Sequence, residues 1–233
     1  MRRPIEEAPL VTANIAGVFY LTSIVTAGTA ALVRSRFFLS GDATETATNI
    51  LAHSSLFRMV FAADLISALC FVVVTLLLWE MFKPVAKRVS LLAAFFGLVG
   101  CLTVVFSCVF HIAALVVLRG AQYLNIVTVE PLQALMSLCL TLRAQTYNVS
   151  LVFLGFYCLL IGYLILKSTF LPRIVGALMA FSGFAWLIFL SPPLATQLSP
   201  YILAPGLLGE GALTLWLLVG PRFDEVLHQK GAY

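Results

Sequence analysis

Charged residues are scarce in this sequence. Of its 233 residues, 10% are charged and 61% are hydrophobic, whereas a water-soluble domain carries about 25% charged and about 45–50% apolar residues. A chain of this composition cannot hide its apolar surface from water, but it can place that surface against lipid. The composition therefore excludes a water-soluble globular domain. The formal net charge of +4 is too small to indicate a nucleic-acid partner.

Histidine is also scarce, and the short motifs of common enzymes are absent. There are three histidines, and one of them, His228, lies in the C-terminal tail, so a three-histidine metal centre inside the membrane is excluded. No P-loop, G-x-S-x-G or H-E-x-x-H motif is present. The five cysteines lie in apolar runs without a C-x-x-C pair, which indicates small helix-packing residues. The sequence thus identifies no cofactor.

Long apolar runs are the dominant feature that is present. A transmembrane helix needs about 20 predominantly apolar residues, and the third run is long enough to tilt or to extend beyond the bilayer. We therefore predict an all-α integral membrane bundle of about six transmembrane helices, forming one domain over residues 1–233. The spans are predicted at 13–33, 57–79, 89–118, 146–166, 173–190 and 201–219.

The distribution of lysine and arginine predicts the orientation of the bundle. With six spans, nine of these residues lie on the side of the two termini and five lie on the opposite side. Cytoplasmic loops carry the excess of positive charge. We therefore predict a multi-pass protein of the cell membrane (inner or plasma membrane) with both termini in the cytoplasm.

Two of the predicted outer loops carry helix signals. Asp42 followed three residues later by Glu45 is a capping-box pattern, which predicts a short helix over about 43–53. In the second loop, Pro131 suits the first position of a helix, and apolar residues with helical spacing follow it as far as Leu142. This segment is too short to span a bilayer. The expected architecture is three hairpins, with short interfacial helices in the first two outer loops.

Three titratable residues fall inside the predicted spans. Asp64, His111 and Glu210 each lie seven to nine residues from the predicted outer end of their helix, which corresponds to a depth of roughly 10–13 Å. Ionisable groups inside a bilayer are costly, face the bundle interior and often mark a functional site. Small neighbours such as Gly209 let helices approach closely and can shape a cavity. We therefore treat the three residues as candidate ligand-binding groups.

Further polar residues stand at the outer starts of the second and fourth spans. Arg58 and Arg143 occupy these starts, and Tyr147 and Asn148 follow Arg143 by one turn. Two guanidiniums there would flank the mouth of a pocket, and arginine holds a carboxylate or phosphate with two parallel hydrogen bonds. Two other interpretations stay open. Arg143 could neutralise a buried acid in a purely structural network, and both arginines could extend to lipid headgroups.

Eight short stretches, taken together and in their order along the chain, are informative. They are Ile15–Tyr20, Gly41–Asp42, Ile50–His53, Leu56–Arg58, Leu151–Gly155, Gly162–Leu164, Ser168–Gly176 and Gly209–Glu210. In this order they resemble a bacterial membrane-protein family known as domain of unknown function 4386, over about residues 12–219. The resemblance implies a multi-helix membrane protein. It implies no established activity, cofactor or catalytic residue.

Three functions are compatible with these residues, with the lipid bilayer as the common partner. The leading hypothesis is the binding or transport of a small polar or amphiphilic ligand through an outer-leaflet polar pocket. The second is a membrane-embedded enzyme, in which Asp64, His111 and Glu210 hold a metal or act as acid and base. The third is an accessory subunit without a site of its own. The candidate ligand-binding residues are Arg58, Asp64, His111, Arg143, Tyr147, Asn148 and Glu210.

Overall fold

The described part of the chain is almost wholly α-helical. A computed structural model describes residues 4–37, 42–120 and 129–230. Its elements are α1 (Pro4–Ser35), α2 (Ala43–Ala52), α3 (Ser54–Gly120), α4 (Val129–Lys167), α5 (Arg173–Leu187), a 3₁₀ turn (Ile188–Leu190) and α6 (Pro192–Lys230). Five of these helices contain segments long and apolar enough to cross a membrane, namely Val11–Ser35, Ser54–Gly120, Glu130–Lys167, Arg173–Leu190 and Tyr201–Gly220. The predicted all-α membrane bundle is confirmed.

The 67-residue helix α3 is a hairpin of two helical arms. A straight helix of that length would measure about 100 Å, far more than the roughly 30 Å of a bilayer core. The backbone leaves the helical conformation at Ala86, with φ −158° and ψ 89°, two residues after Pro84. Because proline removes a helical hydrogen bond, the chain can turn here. The first arm (54–85) and the second arm (87–120) are each long enough to span.

Hydrogen bonds between the arms of α3 establish that they run antiparallel. Near the turn, the Ser90 hydroxyl donates to the Trp79 carbonyl at 3.0 Å. Near the open ends, the Arg119 guanidinium donates to the Ser54 hydroxyl at 3.0 Å. With the two arms counted separately, the described residues contain six segments long enough to cross a membrane, the number expected from the sequence.

The predicted short helix in the first outer loop is present as α2. Asp42 is its N-cap, and a carboxylate oxygen of Asp42 accepts hydrogen bonds from the backbone N–H groups of Thr44 at 2.7 Å and Glu45 at 3.4 Å. One face of α2 is buried through Thr46, Ala47 and Ile50. This cap satisfies N–H groups that a helix start otherwise leaves unpaired.

The predicted short interfacial helix in the second outer loop is not a separate element. It continues into the fourth span, so that α4 is one helix of 39 residues from Val129 to Lys167. The expected break was wrong because no glycine or proline lies between Pro131 and Gly155. Helix propagation adds one hydrogen bond per residue, and it needs a breaker to stop it.

The last two helices also differ from the predicted bounds. The fifth helix ends at Leu187 and gives way to the 3₁₀ turn, and α6 begins at Pro192 instead of residue 201. Helix α6 starts at the Ser191-Pro192-Pro193 segment. The Ser191 carbonyl accepts the first helical bond from the Ala195 N–H at 2.9 Å. Proline suits these first positions because their N–H groups have no partner in the helix.

The chain divides into two compact units. The first unit comprises Met1–Thr22, Cys70–Gly100 and Leu151–Tyr233, and the second comprises Ser23–Leu69 and Cys101–Ser150. Within the second unit, Ile50, Phe57, Ala114 and Met136 are fully buried in one hydrophobic cluster that joins α2 to both arms of α3 and to α4. The assignment of residues 1–233 to one domain stays a prediction.

Candidate functional site

A buried carboxylate paired with two arginines lies in the second unit. Asp64 Oδ2 is 2.5 Å from an Nη atom of Arg34 and 3.0 Å from an Nη atom of Arg143. The side chains of Arg34, Asp64 and Arg143 are 12%, 6% and 6% exposed. We call these three residues the Arg-Asp-Arg cluster. Breaking such a buried pair leaves an uncompensated charge, which is strongly destabilising.

A serine pair positions α1 against the first arm of α3 beside this cluster. The Ser23 hydroxyl lies 3.0 Å from the Ser67 carbonyl, and the Ser67 hydroxyl lies 3.0 Å from the Ser23 carbonyl. Asp64 is one turn from Ser67 along the arm. Arg34 lies farther along α1, and helix side chains lean toward the N-terminus, so the Arg34 side chain leans back toward Asp64.

The charges of the Arg-Asp-Arg cluster do not balance. Two guanidiniums face a single carboxylate, so the cluster carries one formal positive charge in excess. In addition, the Nε atoms of Arg34 and Arg143 are buried without a hydrogen-bond partner. A buried donor without a partner costs free energy. The cluster therefore has unused capacity for an anionic hydrogen-bond acceptor.

His111 and Cys108 lie beside the Arg-Asp-Arg cluster. The His111 ring stacks on the Phe57 ring with centroids 3.8 Å apart, and its Nε2–H donates to the Phe57 carbonyl at 2.9 Å. His111 Nδ1 is buried and has no hydrogen-bond partner. His111 and Cys108 both interact electrostatically with all three charged side chains of the cluster.

The remaining polar residues of the second unit differ in exposure and in contacts. Arg58 is exposed, and its place at the mouth of a pocket stays a prediction. The Tyr147 ring centroid is 5.7 Å from the Arg143 guanidinium carbon, which is a cation–π distance. Asn148 is half-buried one residue farther along α4, and His53 is exposed at the C-terminal cap of α2.

Glu210 occupies a separate buried site in the first unit. It is 5% exposed, and its Oε1 accepts a hydrogen bond from the Trp186 indole N–H at 3.0 Å. A Cβ on Gly206 would collide with the Trp186 ring, so the glycine lets the indole lie against α6. The Tyr20 hydroxyl of α1 also faces Glu210 and interacts with its carboxyl group. Both acids are thus buried, contrary to the expectation that they line an open pocket.

A serine of α5 bonds to the backbone of α6 one residue before Glu210. The Ser182 hydroxyl donates to the Pro205 carbonyl and accepts from the Gly209 N–H, both at 2.9 Å. These two bonds fix α5 against α6 at this level. A Cβ on Gly209 would collide with the Leu178 carbonyl. Only glycine permits this close approach.

The candidate metal set is not assembled in the described residues. Asp64 and His111 belong to the second unit and Glu210 to the first. Within the ranges that the structure describes, no group of three or more His, Cys, Asp or Glu side chains could hold a metal ion. The metal-dependent enzyme hypothesis therefore gains no support from these residues.

Sequence reasoning missed two of the groups that contact the acids. Arg34 counted only as a charge at the outer end of the first span, although its side chain reaches Asp64 on the neighbouring helix. Trp186 lies in the apolar fifth span and was not singled out as a polar contact. Its indole N–H needs an acceptor when it is buried, and Glu210 is the buried acid of the next helix.

These features define a class of protein, a multi-pass α-helical membrane protein with two buried acidic sites. The family model described as Domain of unknown function (DUF4386) matches residues 15–220, and the chain belongs to this family. The resemblance seen in the sequence is thereby confirmed. No curated protein and no solved structure matches the chain.

Proposed function

We propose that this protein binds a small amphiphile with an anionic head group, held by Arg34 and Arg143 beside Asp64. The observation that carries the proposal is the excess positive charge of the Arg-Asp-Arg cluster together with its two unused Nε donors. Binding of this ligand is the first step of either a carrier or a receptor function.

The buried excess charge of the Arg-Asp-Arg cluster favours an anionic ligand. An uncompensated charge inside a membrane protein is expensive, and the Arg-Asp-Arg cluster holds two guanidiniums against one carboxylate. A bound carboxylate or phosphate would bring the cluster to neutrality. Arginine suits this role because its planar fork donates two parallel hydrogen bonds to either group.

The surroundings favour an amphiphile over a fully polar solute. The three charged residues lie within segments apolar enough to cross a membrane, so a ligand would reach them from lipid or along apolar helix faces. Exposed leucines such as Leu32 on α1 and Leu138 on α4 can accompany its hydrocarbon chain. A head group with an apolar tail therefore matches both parts of the environment.

One observation favours a second function, that of an accessory subunit with a purely structural ion network. Asp64 is already paired with both arginines and is almost fully buried. A structural network needs no ligand, and its arginines would serve only to neutralise Asp64 and fix α1 and α4. The two functions differ in their response to added anions.

The test is thermal unfolding of the full chain in uncharged detergent with three probes of equal chain length: octyl phosphate, octanoate and octyltrimethylammonium. We expect the two anions to raise the Tm and the cation to leave it unchanged. A ligand at 100 times its Kd stabilises by about 2.7 kcal/mol, which is readily measured.

Matched arginine variants identify the site of the effect. Arg34→Gln keeps one arginine with Asp64 and should lose the response to anions, whereas Arg58→Gln, at an exposed arginine, should keep it. Equal responses to anions and cation, or a full anion response in Arg34→Gln, would overturn the proposal and favour the structural network.

We also propose that both termini face the cytoplasm, on the distribution of lysine and arginine. Reporter fusions after Lys87, Lys167 and Gly220 should then report cytoplasm. Fusions within 37–50 and 120–130 should report the outer side. An external signal at any of the first three positions would contradict this orientation.

A further inference from the structure

We propose that Glu210 is a proton-binding site, an intramembrane carboxyl group that is neutral in the folded protein and exchanges its proton. This site is formed by different residues from the Arg-Asp-Arg cluster and goes beyond the proposed anion binding. The geometry around Glu210 carries the inference.

Glu210 lacks the partners that a buried carboxylate needs. No ion pair found in the described residues includes Glu210, although its side chain is buried within the span Tyr201–Gly220. One indole hydrogen bond from Trp186 reaches it. The donors that face Glu210, the Trp186 indole and the Tyr20 hydroxyl, are both neutral. Neutral donors do not replace the hydration shell of a carboxylate, and an acid in that position neutralises by taking up a proton.

The groups facing Glu210 fit a carboxylic acid better than a carboxylate. They come from three neighbouring helices: Tyr20 of α1, Cys158 of α4 and Trp186 of α5. Tyr20 and Cys158 are neutral in their ordinary protonated forms and bring no cation to the site. The Tyr20 hydroxyl has both a proton to donate and lone pairs to accept one.

A polar side chain also contacts α6 one residue before Glu210. The Ser182 hydroxyl donates to the Pro205 carbonyl and accepts from the Gly209 N–H. Proton uptake converts the carboxylate of Glu210 to the acid, and release restores it, with no other bond formed or broken.

The test is infrared spectroscopy of the full chain in detergent at neutral pH, which separates the carbonyl absorption of a carboxylic acid from that of carboxylates. We expect an acid band in the parent protein that shifts on transfer to heavy water. The band should be lost in Glu210→Gln and retained in Asp64→Asn.

A second variant keeps the test decisive if Glu210→Gln fails to fold. Trp186→Phe retains the carboxyl group but removes the indole N–H, so the acid band should persist at a shifted frequency. Absence of an acid band in the parent, or its persistence unchanged in Glu210→Gln, overturns the proposal. A band that does not shift in heavy water contradicts proton exchange. None of these three outcomes tests anion binding at the Arg-Asp-Arg cluster, which is formed by other residues.

Discussion

The two buried acids of this protein have opposite electrostatic surroundings. Asp64 in the second unit is enclosed by Arg34 and Arg143, whereas Glu210 in the first unit meets the neutral Trp186. Both are about 5% exposed. Burial alone therefore does not determine what an intramembrane acid does. The neighbouring side chains differ instead: those of Asp64 are cations, and Trp186 beside Glu210 is neutral.

The difference extends to what each site lacks. The Arg-Asp-Arg cluster has more donors than acceptors and one formal positive charge in excess, so it is suited to an anion. Within the described residues no ion pair includes Glu210, so its site is suited to a proton.

Neutralising each acid should produce the largest contrast. Asp64→Asn leaves two buried guanidiniums without a counter-charge, and we expect a loss of about 3–5 kcal/mol in the free energy of unfolding. Glu210→Gln keeps an acceptor for the Trp186 N–H and should cost about 1 kcal/mol or less. Denaturant unfolding in mixed micelles measures both. Equal losses would remove the distinction between the sites.

Removing one arginine should cost less than removing the acid. Arg34→Gln leaves a one-to-one pair between Asp64 and Arg143, so the expected loss is that of a hydrogen bond to a charged group, about 1.5–3 kcal/mol. The same unfolding measurement applies. A loss larger than that of Asp64→Asn would show that Arg34 supports the fold by packing and not through Asp64.

A glycine pair in α6 tests the close packing beside Glu210. In Gly209→Ala the new Cβ would lie 2.5 Å from Ser182 Oγ and collide with the Leu178 carbonyl, so we expect a loss of about 1–3 kcal/mol. Gly211→Ala is the control, because nothing lies within 4 Å of its added Cβ. Alanine there should be neutral or stabilising by roughly 0.5–1 kcal/mol. Similar losses at both positions would contradict the packing of α5 on α6.

The smallest effect is expected at the cap of α2, away from both acids. Asp42→Ala removes the acceptor of the Thr44 and Glu45 N–H groups, which should cost about 0.5–2 kcal/mol. Hydrogen exchange should speed up in 43–52 and stay unchanged in α5. An unchanged exchange rate in α2 would mean that the cap contributes nothing there.

Much of the fold was predictable because bilayer length and hydropathy set strong constraints. The number of spans, the turn near residues 80–88 and the capped helix after Asp42 all followed from apolar runs, proline and turn chemistry. The merger of the second outer helix with α4 did not, because a polar segment without a breaker can either loop or continue as a helix. Tertiary packing decides between the two.

The candidate site was predictable only in part. Asp64, His111 and Glu210 stood out as ionisable residues inside apolar runs, and Arg143 as a charge at the start of a span. The structure buries all four. Their grouping into separate units depends on which helices adjoin, and a single sequence does not contain that information. Arg34 was missed for the same reason, since it stands near the end of a span.

The most direct test of the contrast between the acids is labelling with a lipophilic carbodiimide, which reacts with protonated carboxyl groups. The full chain in detergent is treated at neutral pH, and peptide mass spectrometry compares the modified fractions of Asp64 and Glu210 in the same sample. The account predicts an adduct on Glu210 and none on Asp64, because Asp64 Oδ2 is paired with two arginines. Modification of Asp64 equal to or greater than that of Glu210 would contradict it.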